Sequence, residues 1–276
     1  MLDIPAVNRL VARSAALWFG ALDRHRLRRE KSSPSVSQGG RVSVPIATYD
    51  RLDVLVERTI PAILNQTHAD VEVIVVGDGS PIALWNRLSE IQDVRVRSVR
   101  LRRRTRYPPD PLSLWMVAGW RARNLGARLA SGDWILWISD DDILLPDALA
   151  SMLEVAAQSP DVEVVSGRKQ SGTQEPRAIT LENAGHGLGL RVIGMPLLCR
   201  SYLRAFRWNR HSWRKSWNRP CDYDLLERMG RLGVKMEVTD RLVAIHPEVA
   251  GTGLIGSRGA IAEELRRRAR GQAQSD

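Results

Sequence analysis

From Arg41 onward, short runs of β-branched and other apolar residues alternate with longer segments in which apolar residues recur at helical spacing. The continuous runs are typical of strands buried on both faces, and the spaced segments are typical of amphipathic helices. Strands are predicted at residues 42–46, 71–76, 94–99, 134–138 and 162–165, and helices at residues 52–65, 82–91, 115–130 and 147–157. This alternation predicts βαβ units, and therefore an α/β fold with a Rossmann-like, mostly parallel central sheet flanked by helices.

The N-terminal segment has a different character, because the short apolar stretch at residues 14–22 is flanked on both sides by arginines. It is too short for a membrane-spanning helix, which needs about 20 apolar residues, and the arginines that follow it do not fit a signal-peptide cleavage site. Two alternatives stay open: a basic amphipathic helix on a membrane surface through Trp18 and Phe19, or a helix that packs on the domain or mediates self-association. Residues 31–40 predict a flexible linker. The predicted division is a basic helical extension and linker (1–40), the main domain (41–250), and a C-terminal helix with a disordered tail (251–276).

The composition of the 276-residue chain narrows the class of protein. Hydrophobic residues make up 43% and charged residues 26%, values that exclude a disordered, collagen-like or multi-span membrane protein. The 41 lysines and arginines exceed the 31 aspartates and glutamates, which favours acidic ligands such as nucleotides and anionic membrane surfaces. No nucleic-acid-binding motif accompanies this charge, so nucleic acid is not an expected partner. Cys199 and Cys221 are the only cysteines, which indicates a reducing compartment and hence the cytoplasm.

Polar residues follow three of the predicted strands at their carboxyl ends. They occupy residues 48–50 after the first strand, 78–80 after the second, and 139–142 after the strand that ends at Ile138. In open parallel sheets, ligands bind beyond the carboxyl ends of the strands. The sequence therefore predicts one binding site formed by these three segments.

The last of these segments contains three consecutive aspartates, Asp140, Asp141 and Asp142, which repel one another unless a cation compensates their charge. Carboxylates suit Mg²⁺ or Mn²⁺, which commonly bind through one or two carboxylates plus the phosphates of a substrate. The alternative is a solvated turn that caps the helix beginning at Pro146. The chain contains no P-loop motif and no GxGxxG after a strand. A diphosphate held mainly by a divalent cation needs no glycine cradle, so the pattern indicates a nucleotide-diphosphate ligand.

Four ordered motifs resemble those of family 2 glycosyltransferases, which have the GT-A fold. They are residues 42–51 at the opening strand, residues 73–80 with an Asp-Gly-Ser turn, residues 122–126 and 132–135 on the approach to the DxD motif, and residues 139–142 with Pro146 at that motif. The resemblance covers about residues 41–247. It implies a GT-A fold with an acceptor-side subregion and an enzyme that uses a nucleotide-diphosphate sugar.

The resemblance also implies a role for each residue of the donor site. Asp78 would hydrogen-bond the base, typically an N–H of uracil, and Asp141 would bind the metal directly. The nucleotide-binding and donor-binding residues implied by the family are Thr48, Tyr49, Asp50, Asp78, Arg123, Asp140 and Asp142, and the metal ligands are Asp141, Asp142 and His246. For Arg123 the alternative is an ordinary charge on a helix surface, and for His246 it is a histidine that simply ends a strand.

The segment at residues 221–226 resembles the family's catalytic segment, in which the second residue is the general base; here that residue is Asp222. An inverting transfer needs one carboxylate to take the proton of the acceptor hydroxyl. Asp224, two residues further on, is predicted to cap the helix or to pair with Arg228. Cys221 and Ser139 stand where the family usually has acidic residues, which leaves the acceptor contacts and the number of metal ligands open. Pro45 removes a backbone donor, so the first strand is predicted to end early or to bulge there.

Residues 167–218 are predicted to line the acceptor, because tryptophans alternate there with arginines. Aromatic faces stack on sugars and arginines bind phosphates, which fits a glycan, lipid-linked or metabolite acceptor; the alternative for Trp208, Trp213 and Trp217 is a place in the core. The leading hypothesis is an inverting, metal-dependent glycosyltransferase in the cytoplasm, with peripheral contact at the inner face of the membrane and a homodimer as open alternatives. A sugar-phosphate nucleotidyltransferase and a non-catalytic basic binding protein are the competing hypotheses.

Overall fold

The computed structural model describes residues 20–32, 40–109, 111–173, 175–178, 196–209 and 221–247. Within these residues an eight-stranded sheet is flanked by helices. The strands are β1 (Val42–Thr48), β2 (Val71–Asp78), β3 (Val96–Leu101), β4 (Trp134–Trp137), β5 (Ile143–Leu144), β6 (Val164–Ser171), β7 (Leu197–Arg200) and β8 (Met236–His246). The helices are α1 (residues 20–31), α2 (Leu52–Val54, a π-helical turn at Leu55–Thr59, and Ile60–Leu64), α3 (Ile82–Ser89), α4 (Pro111–Val117), α5 (Trp120–Leu129), α6 (Ala148–Gln158) and α7 (Cys221–Arg231).

The sheet has the strand order β3-β2-β1-β4-β7-β6-β8-β5. Strands β3, β2, β1 and β4 are parallel to one another and form one half of the sheet. In the other half β7 is antiparallel to β4 and β6, β5 is antiparallel to β8, and β6 and β8 are parallel. The predicted α/β fold with a mostly parallel central sheet is therefore confirmed.

The core lies on both faces of the sheet, because successive residues of a strand point to opposite sides. In β2, Val73 and Val75 belong to one core cluster, whereas Ile74 and Val76 belong to the other. The first cluster includes buried residues of α2, α3 and α6, and the second includes residues of α5 and α7. This double burial explains why the strands read as continuous apolar runs.

Two predicted elements differ from the structure at glycine and turn signals. The single helix predicted at residues 115–130 is wrong, because α4 and α5 are separated at Gly119, which has a φ of 75°. The strand predicted at residues 94–99 begins only at Val96. Asp93 Oδ1 accepts a hydrogen bond from the backbone N of Arg95 at 2.9 Å and turns the chain there.

The prediction that β1 ends early or bulges at Pro45 is also wrong. Pairing with β2 is continuous across it, with Pro45 opposite Ile74. The backbone N of Val42 donates to Asp70 on the β2 side at 3.0 Å, and alternate residues of a strand donate to opposite sides, so the nitrogen of Pro45 faces β4. Since β4 pairs with only the first two residues of β1, the missing donor breaks no ladder bond.

Helix α1 packs on the domain through specific contacts. Asp23 is 1% exposed and forms an ion pair with Arg228 of α7, with Oδ2 and Nη1 2.7 Å apart. At the end of α1, Lys31 pairs with Glu163 at 2.9 Å. These contacts support packing on the domain for residues 20–31, whereas Trp18 and Phe19, the predicted membrane contacts, lie outside the described residues. No helix in the described part of the chain is long and apolar enough to cross a membrane.

Candidate functional site

The predicted polar segments meet at one edge of the sheet. Thr48 is the last residue of β1, Asp78 is the last residue of β2, and the aspartates at residues 140–142 follow β4. His246 reaches the same place from the other half of the sheet, because β8 pairs with β5 so that Ile245 lies opposite Ile143, directly after the aspartates. The fold therefore brings together carboxylates and an imidazole that are about a hundred residues apart in sequence.

Asp142 is the most enclosed of the three aspartates, with a fully buried side chain. Its oxygens Oδ1 and Oδ2 accept hydrogen bonds from Lys169 Nζ at 3.1 and 3.3 Å, and Oδ2 also accepts one from the backbone N of Ser139 at 3.1 Å. His246 Nδ1 lies 3.1 Å from Oδ1. Burial alone would raise the pKa of Asp142, but the Lys169 ammonium and the contact with His246 bring it below its ordinary value.

Asp140 and Asp141 share a different cation. Arg51 Nη1 donates to Asp140 Oδ1 at 3.1 Å and also to Asp141 Oδ2. Burial, together with the negative charge of Asp141, raises the pKa of Asp140 above its ordinary value. The Arg51 guanidinium and the Thr48 hydroxyl oppose this shift. The three carboxylates are thus paired with two cations, Asp140 and Asp141 with Arg51, and Asp142 with Lys169.

The same cluster has the donor atoms that a divalent cation needs. One ligand atom each from Asp141, Asp142 and His246 lies within 4.8 Å of the others. Carboxylate oxygens with an imidazole nitrogen suit Mg²⁺ or Mn²⁺ when a substrate phosphate supplies further oxygens. The residues present therefore fit such an ion, and they are the three ligands that the sequence predicts.

Asp78 is held by the loop that follows β3. Its Oδ1 accepts hydrogen bonds from the backbone N and the hydroxyl of Thr105 at 2.9 and 2.6 Å, and its Oδ2 accepts one from the Tyr107 hydroxyl. The Tyr107 hydroxyl in turn accepts a hydrogen bond from the backbone N of Gly119 at 3.0 Å. Burial and the neighbouring Asp78 raise the pKa of Tyr107. Asp78 is therefore oriented by a fixed loop, next to the break between α4 and α5.

The turn after β1 lies against the same loop. The Arg104 guanidinium stacks on the ring of Tyr49, with its carbon 3.8 Å from the ring centre. The backbone of Arg104 also packs on Gly79, where an added Cβ would lie 2.5 Å from the Arg104 nitrogen and where φ is 72°. Asp50 is exposed. Burial lowers the pKa of Arg51, but the negative charges of Asp140 and Asp141, with a smaller contribution from Asp50, raise it above its ordinary value.

Arg123 lies over the ring of Trp208, with its guanidinium carbon 4.7 Å from the ring centre, and Nη1 donates to the Ala118 carbonyl at 2.5 Å. The Asn124 side chain holds the backbone of Trp208 through two hydrogen bonds of 2.9 Å. Trp208 itself is 6% exposed and packs edge-on against Trp137. Of the two alternatives predicted for Trp208, the structure therefore shows a place in the core. Trp213 and Trp217 lie outside the described residues.

Asp222 lies in the first turn of α7, where its Oδ1 accepts a hydrogen bond from the backbone N of Tyr223 at 3.0 Å. The prediction that Asp224 pairs with Arg228 is confirmed, with Oδ2 and Nε 3.1 Å apart. Asn209 Nδ2 donates to the same oxygen of Asp224 at 3.0 Å. Burial raises the pKa of the Cys221 thiol at the start of this helix, and the nearby positive charge of Arg123 opposes that shift.

Sequence reasoning missed four side chains of this site: Arg51, Lys169, Thr105 and Tyr107. Arg51 belongs to the first family-like segment, and its place after a strand end was a usable signal. Lys169 is one of four lysines in a chain with 41 basic residues. It lies beyond the strand predicted at residues 162–165, in the segment predicted to line the acceptor, so the pattern offers no signal for its contact with Asp142. No local pattern marks Thr105 and Tyr107, because they act through a long-range contact.

Known proteins resemble this chain in sequence and in fold. The family model described as "Glycosyltransferase like family 2" matches residues 40–209. One relative is the succinoglycan biosynthesis protein ExoO of Rhizobium meliloti, which is 33% identical over 49% of this chain and 37% of the relative. Another is the validoxylamine A glucosyltransferase of Streptomyces hygroscopicus subsp. limoneus, which is 36% identical over 46% of this chain and 26% of the relative. The chain thus spans well under half of either relative. The crystal structure of S. aureus TarS 1–349 in complex with UDP-GlcNAc is similar in fold, with a TM-score of 0.59 and 15% identity over 78% of this chain and 60% of TarS.

Proposed function

The chain belongs to the glycosyltransferase like family 2, and from that premise we propose that it transfers a sugar from a UDP-linked donor to an acceptor hydroxyl with inversion at the anomeric carbon. The observation that carries this proposal is the meeting of Asp78, the aspartates at residues 140–142 and His246 at one sheet edge. A nucleoside recognised near Asp78 would extend its diphosphate toward the aspartates and their cations. We therefore expect a nucleotide-diphosphate sugar to bind along this edge of the sheet.

In the proposed donor site, each group has a distinct task. Thr48, Tyr49 and Asp50 border the nucleoside, Asp78 accepts a hydrogen bond from the base, and Arg123 faces the donor sugar or its phosphates. Asp140 and Asp142 flank the ribose and sugar. Asp141, Asp142 and His246 would hold a Mg²⁺ or Mn²⁺ ion, which stabilises the negative charge of the departing diphosphate when bound.

Asp222 is the proposed general base. As the acceptor oxygen forms its bond to the anomeric carbon, the bond from that carbon to the diphosphate oxygen breaks, and the acceptor proton passes to the Asp222 carboxylate. The position of Asp222 in the first turn of α7 supports this role, because a carboxylate side chain is favourable beside a helix N-terminus. The nucleoside diphosphate leaves with the electron pair of the broken bond.

The names of similar proteins support the substrate classes only as proposals for this chain. One TarS structure contains UDP-GlcNAc and another contains UDP, which supports a uridine donor. One relative is named for succinoglycan biosynthesis and the other for glucosylating validoxylamine A, so we propose a glycan, lipid-linked or metabolite acceptor. A cytoplasmic enzyme would meet both the donor and such acceptors.

Calorimetric titration with UDP, GDP and dTDP, each with and without Mn²⁺, tests the donor site. We expect UDP to bind most tightly and its affinity to rise with Mn²⁺. The failure of all three nucleotides to bind a folded sample would refute the donor site and support a non-catalytic binding protein. Turnover of a sugar 1-phosphate with a nucleoside triphosphate would instead support a nucleotidyltransferase.

The catalytic roles are tested with Asp222→Asn and Asp141→Asn. For Asp222→Asn we expect a loss of transfer of about 10²-fold or more, because general-base catalysis contributes on this order. For Asp141→Asn we also expect a strong loss of transfer, because the ion that would stabilise the departing diphosphate loses a ligand. Asp161→Asn is the matched control, since Asp161 is exposed and pairs with Lys235. Full activity of Asp222→Asn would remove Asp222 from the mechanism.

A further inference from the structure

Lys169 is an unusual neighbour for a metal ligand. It is 4% exposed, whereas Lys31 and Lys235 have side chains that are 48% and 61% exposed. Its ammonium donates to both carboxylate oxygens of Asp142. A buried lysine needs such a partner, because an ammonium taken out of water without compensation is strongly unfavourable.

The fold aims Lys169 at the site through an irregularity in the sheet. The register between β6 and β8 shifts on both sides of Arg168, and Lys169 then pairs with Ala244. Such bulges re-aim a side chain. Gly167 permits this packing, because an added Cβ there would collide with Val243. The lysine is therefore placed by the backbone of two strands and not by a flexible loop.

Lys169 and a divalent cation would compete for the same atom. Asp142 Oδ1 is 3.1 Å from Lys169 Nζ and 3.1 Å from His246 Nδ1. An ion bound to Asp142 and His246 would therefore sit beside the ammonium, and two positive charges at that separation in a buried site repel strongly. The alternative anion for the ammonium is the donor diphosphate, which the proposed function brings to the same edge of the sheet.

We propose that the Lys169 ammonium pairs with the metal ligand Asp142 in the free protein and pairs with the donor diphosphate when the donor binds. Asp142 then becomes available to the divalent cation, so that the cation and the nucleotide bind together. This inference rests on the proposed function. It assigns Lys169 two linked effects: it weakens binding of the metal alone, and it strengthens binding of the nucleotide. By linkage, each ligand then raises the affinity for the other by the same factor.

The test measures Mn²⁺ and UDP binding separately, by electron paramagnetic resonance of free Mn²⁺ and by calorimetry. Lys169→Met keeps most of the length of the side chain and removes its charge. We expect this variant to bind Mn²⁺ without nucleotide at least about tenfold more tightly than the unaltered protein, and UDP without metal at least about tenfold more weakly. Lys235→Met is the matched control, and we expect both affinities to be unchanged in it, because Lys235 is exposed and pairs with Asp161.

The unaltered protein provides a second measurement that does not depend on the folding of the variant. We expect saturating UDP to raise its Mn²⁺ affinity at least about tenfold. Equal Mn²⁺ affinity with and without UDP, or equal Mn²⁺ affinity of Lys169→Met and the unaltered protein, would overturn the role of Lys169. If the unaltered protein binds no nucleoside diphosphate at all, the proposed function fails, and this inference fails with it.

Discussion

Replacement of Arg228 by methionine is expected to destabilise the fold strongly, because two buried carboxylates would lose their shared cation. Arg228 donates to Asp23 Oδ2 at 2.7 Å, to Asp224 Oδ2 at 3.1 Å and to the Arg207 carbonyl at 2.6 Å. Its side chain is 7% exposed, and the side chains of Asp23 and Asp224 are 1% and 2% exposed. Neither carboxylate can turn to solvent when the guanidinium is removed.

The expected loss in the free energy of unfolding is about 3–5 kcal/mol, the range for removing one partner of a buried ion pair. This is a large share of the roughly 5–15 kcal/mol by which folded proteins are stable. For a chain of this size it corresponds to a fall in Tm of roughly 6–20 °C. A methionine fills most of the space of the arginine, so the loss arises mainly from charge.

The stability of the variant should also depend on pH. Burial raises the pKa of Asp23 above its ordinary value even with Arg228 beside it. The folded state therefore takes up protons at Asp23 more readily than the unfolded state, and the free energy of unfolding rises as the pH falls through that raised pKa. Without Arg228 the pKa of Asp23 rises further, so part of the lost stability should return as the pH is lowered from neutral.

The assay is urea unfolding followed by circular dichroism, with Arg231→Met as the matched control on the same helix. The Arg231 side chain is 49% exposed and pairs with Glu227 one turn away, so we expect a loss of less than about 1 kcal/mol. If Arg228→Met lowers the free energy of unfolding no more than Arg231→Met does, the reasoning from the buried ion pairs is wrong. A loss that is identical at all pH values would refute the pH argument separately.

Two further predictions concern the loop and the helix break beside the site. Tyr107→Phe removes the hydroxyl that donates a hydrogen bond to Asp78 and accepts one from Gly119. We expect the free energy of unfolding in urea to fall by about 1–3 kcal/mol and UDP to bind more weakly. An unchanged UDP affinity would argue against a role of this loop in the donor site. Gly119→Ala puts a Cβ at a φ of 75° and 3.0 Å from Arg123 Nη1, so it should destabilise by more than the roughly 1–2 kcal/mol of the backbone penalty alone. Gly233→Ala is the control, because Gly233 has the same φ with nothing within 4 Å, and equal losses would show that the crowding at Arg123 is irrelevant.

The sequence predicts the parallel half of the sheet well, for a physical reason. Its strands are buried on both faces, so they appear as continuous apolar runs, and each polar segment that follows marks a strand end. Asp78 and the aspartates at residues 140–142 are found in this way. His246 is found only through the family resemblance, because nothing local to residue 246 indicates that β8 pairs with β5 next to the aspartates.

The interactions that the sequence does not predict are those between distant segments. Lys169 reaches Asp142 only because the register of β6 and β8 shifts beside it, and residue periodicity carries no information on register. The prediction at Pro45 is wrong for the same reason, since the effect of this proline depends on where β4 stops pairing with β1. The break at Gly119 had a visible signal, a glycine within a helical pattern.

The ion pair between α1 and α7 sets an order of events during protein synthesis. Asp23 and Arg228 are 205 residues apart, and ribosomes add about 5–20 residues per second, so roughly 10–40 s pass between the translation of the two residues. The four parallel strands, which end at Trp137, leave the ribosome during that interval. Helix α1 is therefore without its buried partner while the parallel half of the sheet is synthesised. It can pack on α7 only after α7 has been translated, which makes this contact a late step in folding.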